Sequence, residues 1–134
     1  MVYYVAMLLP EATSLAKAFE AEYPGIKVEI FRAGSQGIVT RITNEYRAQK
    51  HTFDVVSINT QAINTFKEIG TLGRYISPER KEYQEAFKDI EGYWTGIYYN
   101  VYVIAYNRNL VSPREAPKTY EELQKLVRKY IQSK

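Results

Sequence analysis

Residues 2–32 read VYYVAMLLPEATSLAKAFEAEYPGIKVEIFR, and this stretch decides the fold. Residues 2–9 form a continuous apolar and aromatic run, which is typical of a strand buried on both faces of a parallel sheet. Pro10 can open a helix at its first turn, and apolar residues then recur at helical spacing until Pro24 and Gly25 stop it. Residues 26–32 alternate apolar and polar side chains, which favours a second, more exposed strand.

The same alternation of strand and helix continues along the chain. Residues 38–46 carry a helical apolar stripe, residues 53–58 form a short apolar strand, and residues 62–69 line one face of a third helix. Ser77 and Pro78 predict the start of a shorter helix that carries Tyr83, Phe87 and Ile90. A βαβαβα order predicts an α/β fold with a doubly wound, mostly parallel sheet and right-handed crossovers.

The last third of the chain has a different character. Residues 92–107 are rich in tyrosine and in strand-forming residues, so we expect an extended segment that crosses the sheet interior. Residues 109–118 contain Pro113 and Pro117 without periodicity and read as a connection. Thr119 and Glu122 fit a capping box, which predicts a final amphipathic helix.

Composition excludes several classes of protein. A chain of 134 residues suffices for one ordinary core. The net charge of +3 is spread without blocks of like charge, so nucleic-acid binding is not supported. The chain has no cysteine. The apolar run 2–9 is far shorter than the roughly 20 residues of a membrane span. It also lacks the flanking residues that are typical of a signal peptide.

Ligands of doubly wound folds bind outside the carboxyl ends of the strands, which here points to the loops 7–11, 33–37 and 57–61. In the second loop, two glycines permit a sharp turn, while Ser35 either caps the following helix or lies beside N–H groups that hold an anion. A cap alone is the commoner role of such a serine. The predicted ligand-binding residues are Glu11, Gly34, Ser35, Gln36, Asn59, Thr60 and Tyr98.

Neither catalysis nor a bound cofactor is predicted. His51 is the single histidine, and it follows a helix at the edge opposite the predicted site, where an imidazolium suits a helix carboxyl terminus. The carboxylates fall on polar helix faces, so no catalytic residues and no metal ligands are expected. The thirteen tyrosines include clusters whose phenolates are able to bind ferric iron, but core and sheet positions are their expected role.

Several segments together resemble the family-1 extracellular solute-binding proteins, particularly their ferric-iron-type branch. The segments are FEAEYPGIKV (19–28), RAGS (32–35), HTFDVV (51–56), GYWTGIYYN (92–100), YVIAYN (102–107) and APKTY (116–120). Their order and spacing extend over nearly the whole chain. Members of this family have two α/β lobes, joined by crossing strands, that close around a solute.

The resemblance implies a type II periplasmic-binding-protein lobe with a flavodoxin-like sheet. Residues 1–108 would form the amino-terminal lobe, and residues 109–134 the hinge or crossing segment and the first helix of a truncated second lobe. The implied function is the solute-binding component of an ABC importer that captures iron or a small anionic solute, with the transporter permease as a partner. The implied location is extracytoplasmic, either periplasmic or as a cell-surface lipoprotein, with the signal already removed.

The sequence departs from the iron-binding pattern of this family. Iron-binding members commonly offer a histidine in the first loop and a glutamate in the third, whereas residues 7–11 contain no histidine and Asn59 and Thr60 occupy the glutamate position. A phosphorylated or carboxylated solute fits these residues at least as well as iron.

Two other functions and one assembly state stay open. One alternative is a stand-alone flavodoxin-like domain for a phosphate or cofactor, although residues 8–11 do not provide a phosphate loop. The other is an interaction module. A lobe without its returning segment would expose a strand edge and an apolar patch, so a homodimer through the exposed core is also expected.

Overall fold

A computed structural model describes residues 1–132 of the chain. The chain divides into two units, Met1–Gly96 and Ile97–Lys134. The predicted division between a lobe, 1–108, and a second-lobe segment, 109–134, stays a prediction, and its last two residues lie outside the described part.

The first unit contains the predicted alternation of strands and helices. Within the described residues its sheet has three parallel strands in the order β2-β1-β3. The elements are β1 (Val2–Val5), α1 (Leu9–Glu22), β2 (Glu29–Arg32), α2 (Ser35–Arg47), β3 (Val55–Ser57) and α3 (Thr60–Glu68). The α/β fold class with a parallel sheet is therefore confirmed.

Helices cover both faces of the sheet. Successive side chains of a strand point to opposite faces, so β1 contributes to two separate apolar clusters. Tyr3 and Val5 are buried with Ala12 of α1 on one face. Tyr4 is buried on the other face, where it packs with two residues of α2 and two of α3, namely Ile38, Ile42, Ile63 and Phe66. The central strand is thus enclosed on both sides, as its apolar run predicts. The strand is shorter than the predicted 2–9, because it ends at Val5 and the exposed Leu9 begins α1.

A polar network lies at the border of the second cluster. The Tyr4 hydroxyl donates to Glu45 Oε1 over 2.7 Å, and Arg41 Nε donates to the same oxygen over 2.8 Å. The guanidinium carbon of Arg41 lies 4.0 Å from the centre of the Phe31 ring. Burial opposes ionisation of Glu45, but interactions with the side chains of Thr52, Arg41 and Tyr4 outweigh it and hold the pKa of this carboxyl below its ordinary 4.5.

The lowered pKa of Glu45 predicts a stability contribution that acid removes. The contribution is fully present above the unfolded value of 4.5 and is lost as the pH falls through the lower folded pKa. We expect Glu45→Gln to reduce the free energy of unfolding at pH 7 and to reduce it much less at pH 3. Urea unfolding of both proteins at the two pH values measures the difference. Glu22→Gln, at an exposed position, is the control; equal losses for Glu45→Gln at both pH values would contradict the assignment.

The region after α3 differs from the prediction of one short helix. It contains two 3-10 helices instead, Pro78–Glu82 and Glu85–Phe87, separated by extended backbone at Tyr83. The predicted start is correct, because Ser77 is the N-cap residue of the first of them and its Oγ accepts from the Glu79 amide over 3.3 Å. The apolar stripe that predicted the helix stays partly or fully exposed, with Ile90 at 88%. A short helix that buries no apolar face gains little from forming, which explains the difference.

Of the two elements predicted for residues 92–134, one forms in the described residues. Helix α4 (Tyr120–Gln132) forms, and Thr119 Oγ1 accepts from the Glu122 amide over 3.2 Å. The predicted crossing strand at residues 92–107 is wrong for the described structure, which pairs only Thr95 of that stretch, in an isolated bridge to Lys88. Strand propensity alone does not create a strand, because the backbone also needs a neighbouring strand to pair with. Among residues 1–132, no helix has the length and apolarity that crossing a membrane requires.

Candidate functional site

The carboxyl ends of the three strands lie level with one another. Val5, the last residue of β1, is paired with Arg32 at the end of β2 and with Ser57 at the end of β3. Each strand is followed within a few residues by the start of a helix. The loops predicted to bind a ligand therefore meet at one edge of the sheet.

Helix α2 begins without a side-chain cap. Gly34 is the N-cap residue, in an extended conformation, and Ser35 is the first residue of the helix. The expectation that Ser35 caps α2 is therefore wrong by one position. Because glycine has no side chain to accept a hydrogen bond, the first amides of α2, at Ser35, Gln36 and Gly37, depend on solvent or a ligand for an acceptor. Such amides, together with the positive end of the helix dipole, favour an anionic oxygen.

Helix α3, unlike α2, begins with a side-chain cap. Asn59 is the N-cap residue, and its Oδ1 accepts from the Ala62 amide over 2.9 Å. Thr60 is the first helical residue and is exposed. The Asn59 side chain therefore has a structural role, while Thr60 lies exposed at the edge where α3 begins.

Glu11 and Tyr98 are the two remaining predicted site residues. Glu11 is exposed in the first turn of α1, whose N-cap is Leu8. A carboxylate at this position stabilises the helix dipole without any ligand. Tyr98 belongs to the second unit, so its inclusion in the site stays a prediction.

The structure adds Arg32 and Ser57, which are not among the predicted ligand-binding residues. Arg32 Nε points back to the Met7 carbonyl oxygen at 3.4 Å, across the ends of β2 and β1. Ser57 Oγ accepts from the Tyr3 hydroxyl over 2.7 Å. Their signal was available, since each is the last residue of a strand next to a predicted loop. Arg32 brings positive charge to an edge where helix amino termini also meet, which suits an anion.

A shallow depression of about 600 Å³ lies along the outer face of α2 and reaches the strand-end edge only at Gln36 and Gly37. Among the described residues, no group of three or more histidine, cysteine, aspartate or glutamate side chains is placed to hold a metal ion. His51 is exposed beyond the end of α2, in agreement with its predicted solvated position.

The chain matches a bacterial protein family and is similar to a solved structure. Residues 14–134 match the family model described as bacterial extracellular solute-binding protein. The chain is also similar to a solved structure, the ferric binding protein from Campylobacter jejuni, with 22% sequence identity and a TM-score of 0.53. That match covers 69% of this chain and 29% of the other, and at this identity it shows the fold alone. No curated protein matches the chain significantly.

Proposed function

Because the chain belongs to the bacterial extracellular solute-binding protein family, we propose that it forms one solute-binding lobe of an ABC importer component. The observation that carries the proposal is the level ending of β1, β2 and β3 beside the amino termini of α1, α2 and α3. In this proposal the protein acts outside the cytoplasm, delivers its solute to a transporter permease and catalyses no reaction.

The proposed solute is iron or a small anion, and the charges at the edge support an anionic form. The amides of Ser35 and Gln36 are positioned for an oxygen ligand, and Arg32 supplies a cation nearby. A phosphate, a carboxylate or an iron complex of a carboxylate satisfies these groups. A ferric ion without such an anion would meet the positive ends of helices, which disfavour it.

An NMR titration of the chain with inorganic phosphate, citrate and gallium(III) citrate, a diamagnetic substitute for ferric citrate, tests the proposal. We expect amide shifts at Ser35, Gln36, Asn59 and Thr60, with dissociation constants on the order of millimolar because one lobe buries little of a ligand. Arg32→Gln should weaken binding about tenfold, the usual scale of one charged hydrogen bond.

Arg47→Gln is the matched control, because Arg47 is exposed at the carboxyl end of α2, away from the strand ends. Its affinity should equal that of the unmodified chain. Shifts confined to His51 and Gly70, at the opposite edge of the sheet, would refute the site assignment.

Self-association is also part of the proposal. Helix α4 carries apolar residues on one face, of which Val127 and Ile131 are 47% and 70% exposed. We expect a second copy to cover such surface, and Leu126→Asp on α4 to reduce the association. Light scattering over a range of concentrations measures it; a monomer at all concentrations would refute it.

A further inference from the structure

Polar contacts hold the segment 89–94 against helix α3. Lys67 Nζ lies 2.8 Å from Asp89 Oδ1 and 3.1 Å from Glu91 Oε1, and it is 5.1 Å from the centre of the Tyr93 ring. Hydrogen bonds to Asp89 and Glu91 raise the pKa of Lys67 against the opposing effect of its burial. The positive charge of Lys67 is thus neutralised locally.

The next contact along the segment lies nearer the start of α3. Trp94 Nε1 donates to Asn64 Oδ1 over 3.2 Å. Asn64 precedes Lys67 by about one helical turn. Residues 89–94 form a turn, since the Asp89 amide donates to the Trp94 carbonyl oxygen over 3.1 Å. The Trp94 indole therefore extends along α3 toward its amino terminus, which is the end that lies at the strand-end edge.

This direction brings the Asn64 and Trp94 pair close to a predicted site residue. Thr60 and Asn64 are four residues apart, so they share one face of α3 with Cβ atoms about 6 Å apart. Helical side chains lean toward the amino terminus, which carries the Asn64 amide toward the level of Thr60. Trp94 is partly buried against the core cluster, and the remainder of its indole is accessible.

Resting on the proposed function, we infer that Asn64 and Trp94 extend the solute site along α3 and select an organic anion over an inorganic one. The hydrogen bond from the indole N–H to Asn64 Oδ1 orients the Asn64 carboxamide. Its Nδ2 is then the free donor, and it donates to an oxygen of the solute. The indole covers the carbon part of the solute. The anionic group itself lies at the amides of Ser35 and Gln36.

The single tryptophan of the chain makes this inference testable, since one indole N–H signal reports on it. The full chain is titrated with citrate and, separately, with inorganic phosphate. We expect citrate to shift the indole N–H and the Asn64 side-chain signals together with the Ser35 amide. Phosphate should shift the Ser35 amide without moving the indole.

Two substitutions separate a binding role from a structural one. Asn64→Asp keeps an acceptor for the indole N–H but removes the Nδ2 donor and adds negative charge. The indole signal of the free protein should therefore stay close to its original position, while citrate affinity falls about tenfold or more. Asn64→Ala should lower citrate affinity and leave phosphate affinity unchanged. Asn44→Ala, the same change at an exposed position of α2, is the control.

The outcomes distinguish this inference from the function on which it rests. If citrate shifts the Ser35 and Thr60 amides but leaves the indole unmoved, the extension along α3 is wrong and the proposed function stands. Normal citrate affinity in Asn64→Asp also overturns the extension. If neither citrate nor phosphate shifts any residue of the strand-end edge, both proposals are wrong.

Discussion

Replacing Ile42 by alanine is expected to lower the free energy of unfolding by about 2–5 kcal/mol. Ile42 is 1% exposed and belongs to the cluster of Tyr4, Ile38, Ile63 and Phe66 that joins α2 and α3 to the sheet. The substitution removes apolar surface from this cluster and leaves a cavity that close-packed neighbours fill only in part.

Ile90→Ala provides a matched control, because the same substitution is made where the side chain is 88% exposed. Its expected effect is within about 0.5 kcal/mol. Urea unfolding followed by Trp94 fluorescence measures both. Should Ile42→Ala be too unstable to study, Ile42→Val is expected to cost about 0.5–1.5 kcal/mol. Equal, small effects at positions 42 and 90 would show that this cluster is not the core of the first unit.

Replacing Gly92 by alanine is expected to cost about 3 kcal/mol, from backbone strain and overpacking combined. Gly92 has φ of +91°, and an added Cβ would lie 2.8 Å from Ile76 Cγ1 and 3.2 Å from Arg80 Nη1. Its carbonyl oxygen also accepts from the Tyr75 amide over 2.9 Å, so the backbone is held in place. Arg80 is buried and donates from Nη2 to the Asp89 carbonyl oxygen, which leaves its guanidinium little room to withdraw.

The matched control is Gly73→Ala. Apart from its own chain neighbours, no heavy atom of the described residues lies within 4 Å of a Cβ added at Gly73, and its φ is not positive. A glycine of this kind tolerates alanine with little change or a small gain in stability. Thermal unfolding of the two variants compares them directly; equal midpoints would mean that residues 74–92 adapt without cost.

The sequence predicted the regular part of the fold because that part depends on local periodicity. The helical stripe that ends at Pro24 and the short strand at 53–58 correspond to α1 and β3, and the first part of the apolar run 2–9 corresponds to β1, which ends at Val5. The family resemblance is confirmed by the match over residues 14–134. The caps at Asn59, Ser77 and Thr119 were also predictable, since each hydrogen bond spans only two or three residues.

Within the candidate site, the sequence predicted which loops meet but not which atoms face a ligand. The order of strands and helices was enough to bring residues 33–37 and 57–61 to one edge. The shift of the α2 cap from Ser35 to Gly34 is a single-residue difference that helix periodicity does not define. The position of Arg32 at a strand end was visible in the sequence, but the contact of its Nε with the Met7 carbonyl oxygen, 25 residues away, was not.

The tertiary structure decided the remaining features because they depend on groups that are distant along the chain. Lys67 contacts Asp89, which is 22 residues away, and Trp94 contacts Asn64, which is 30 residues away. No local sequence pattern predicts either pair. The stretch 97–107 shows the converse case: its composition favours a strand, yet no strand forms there in the described residues. Periodicity states what a segment is able to form, whereas hydrogen-bond partners and buried contacts decide what it does form.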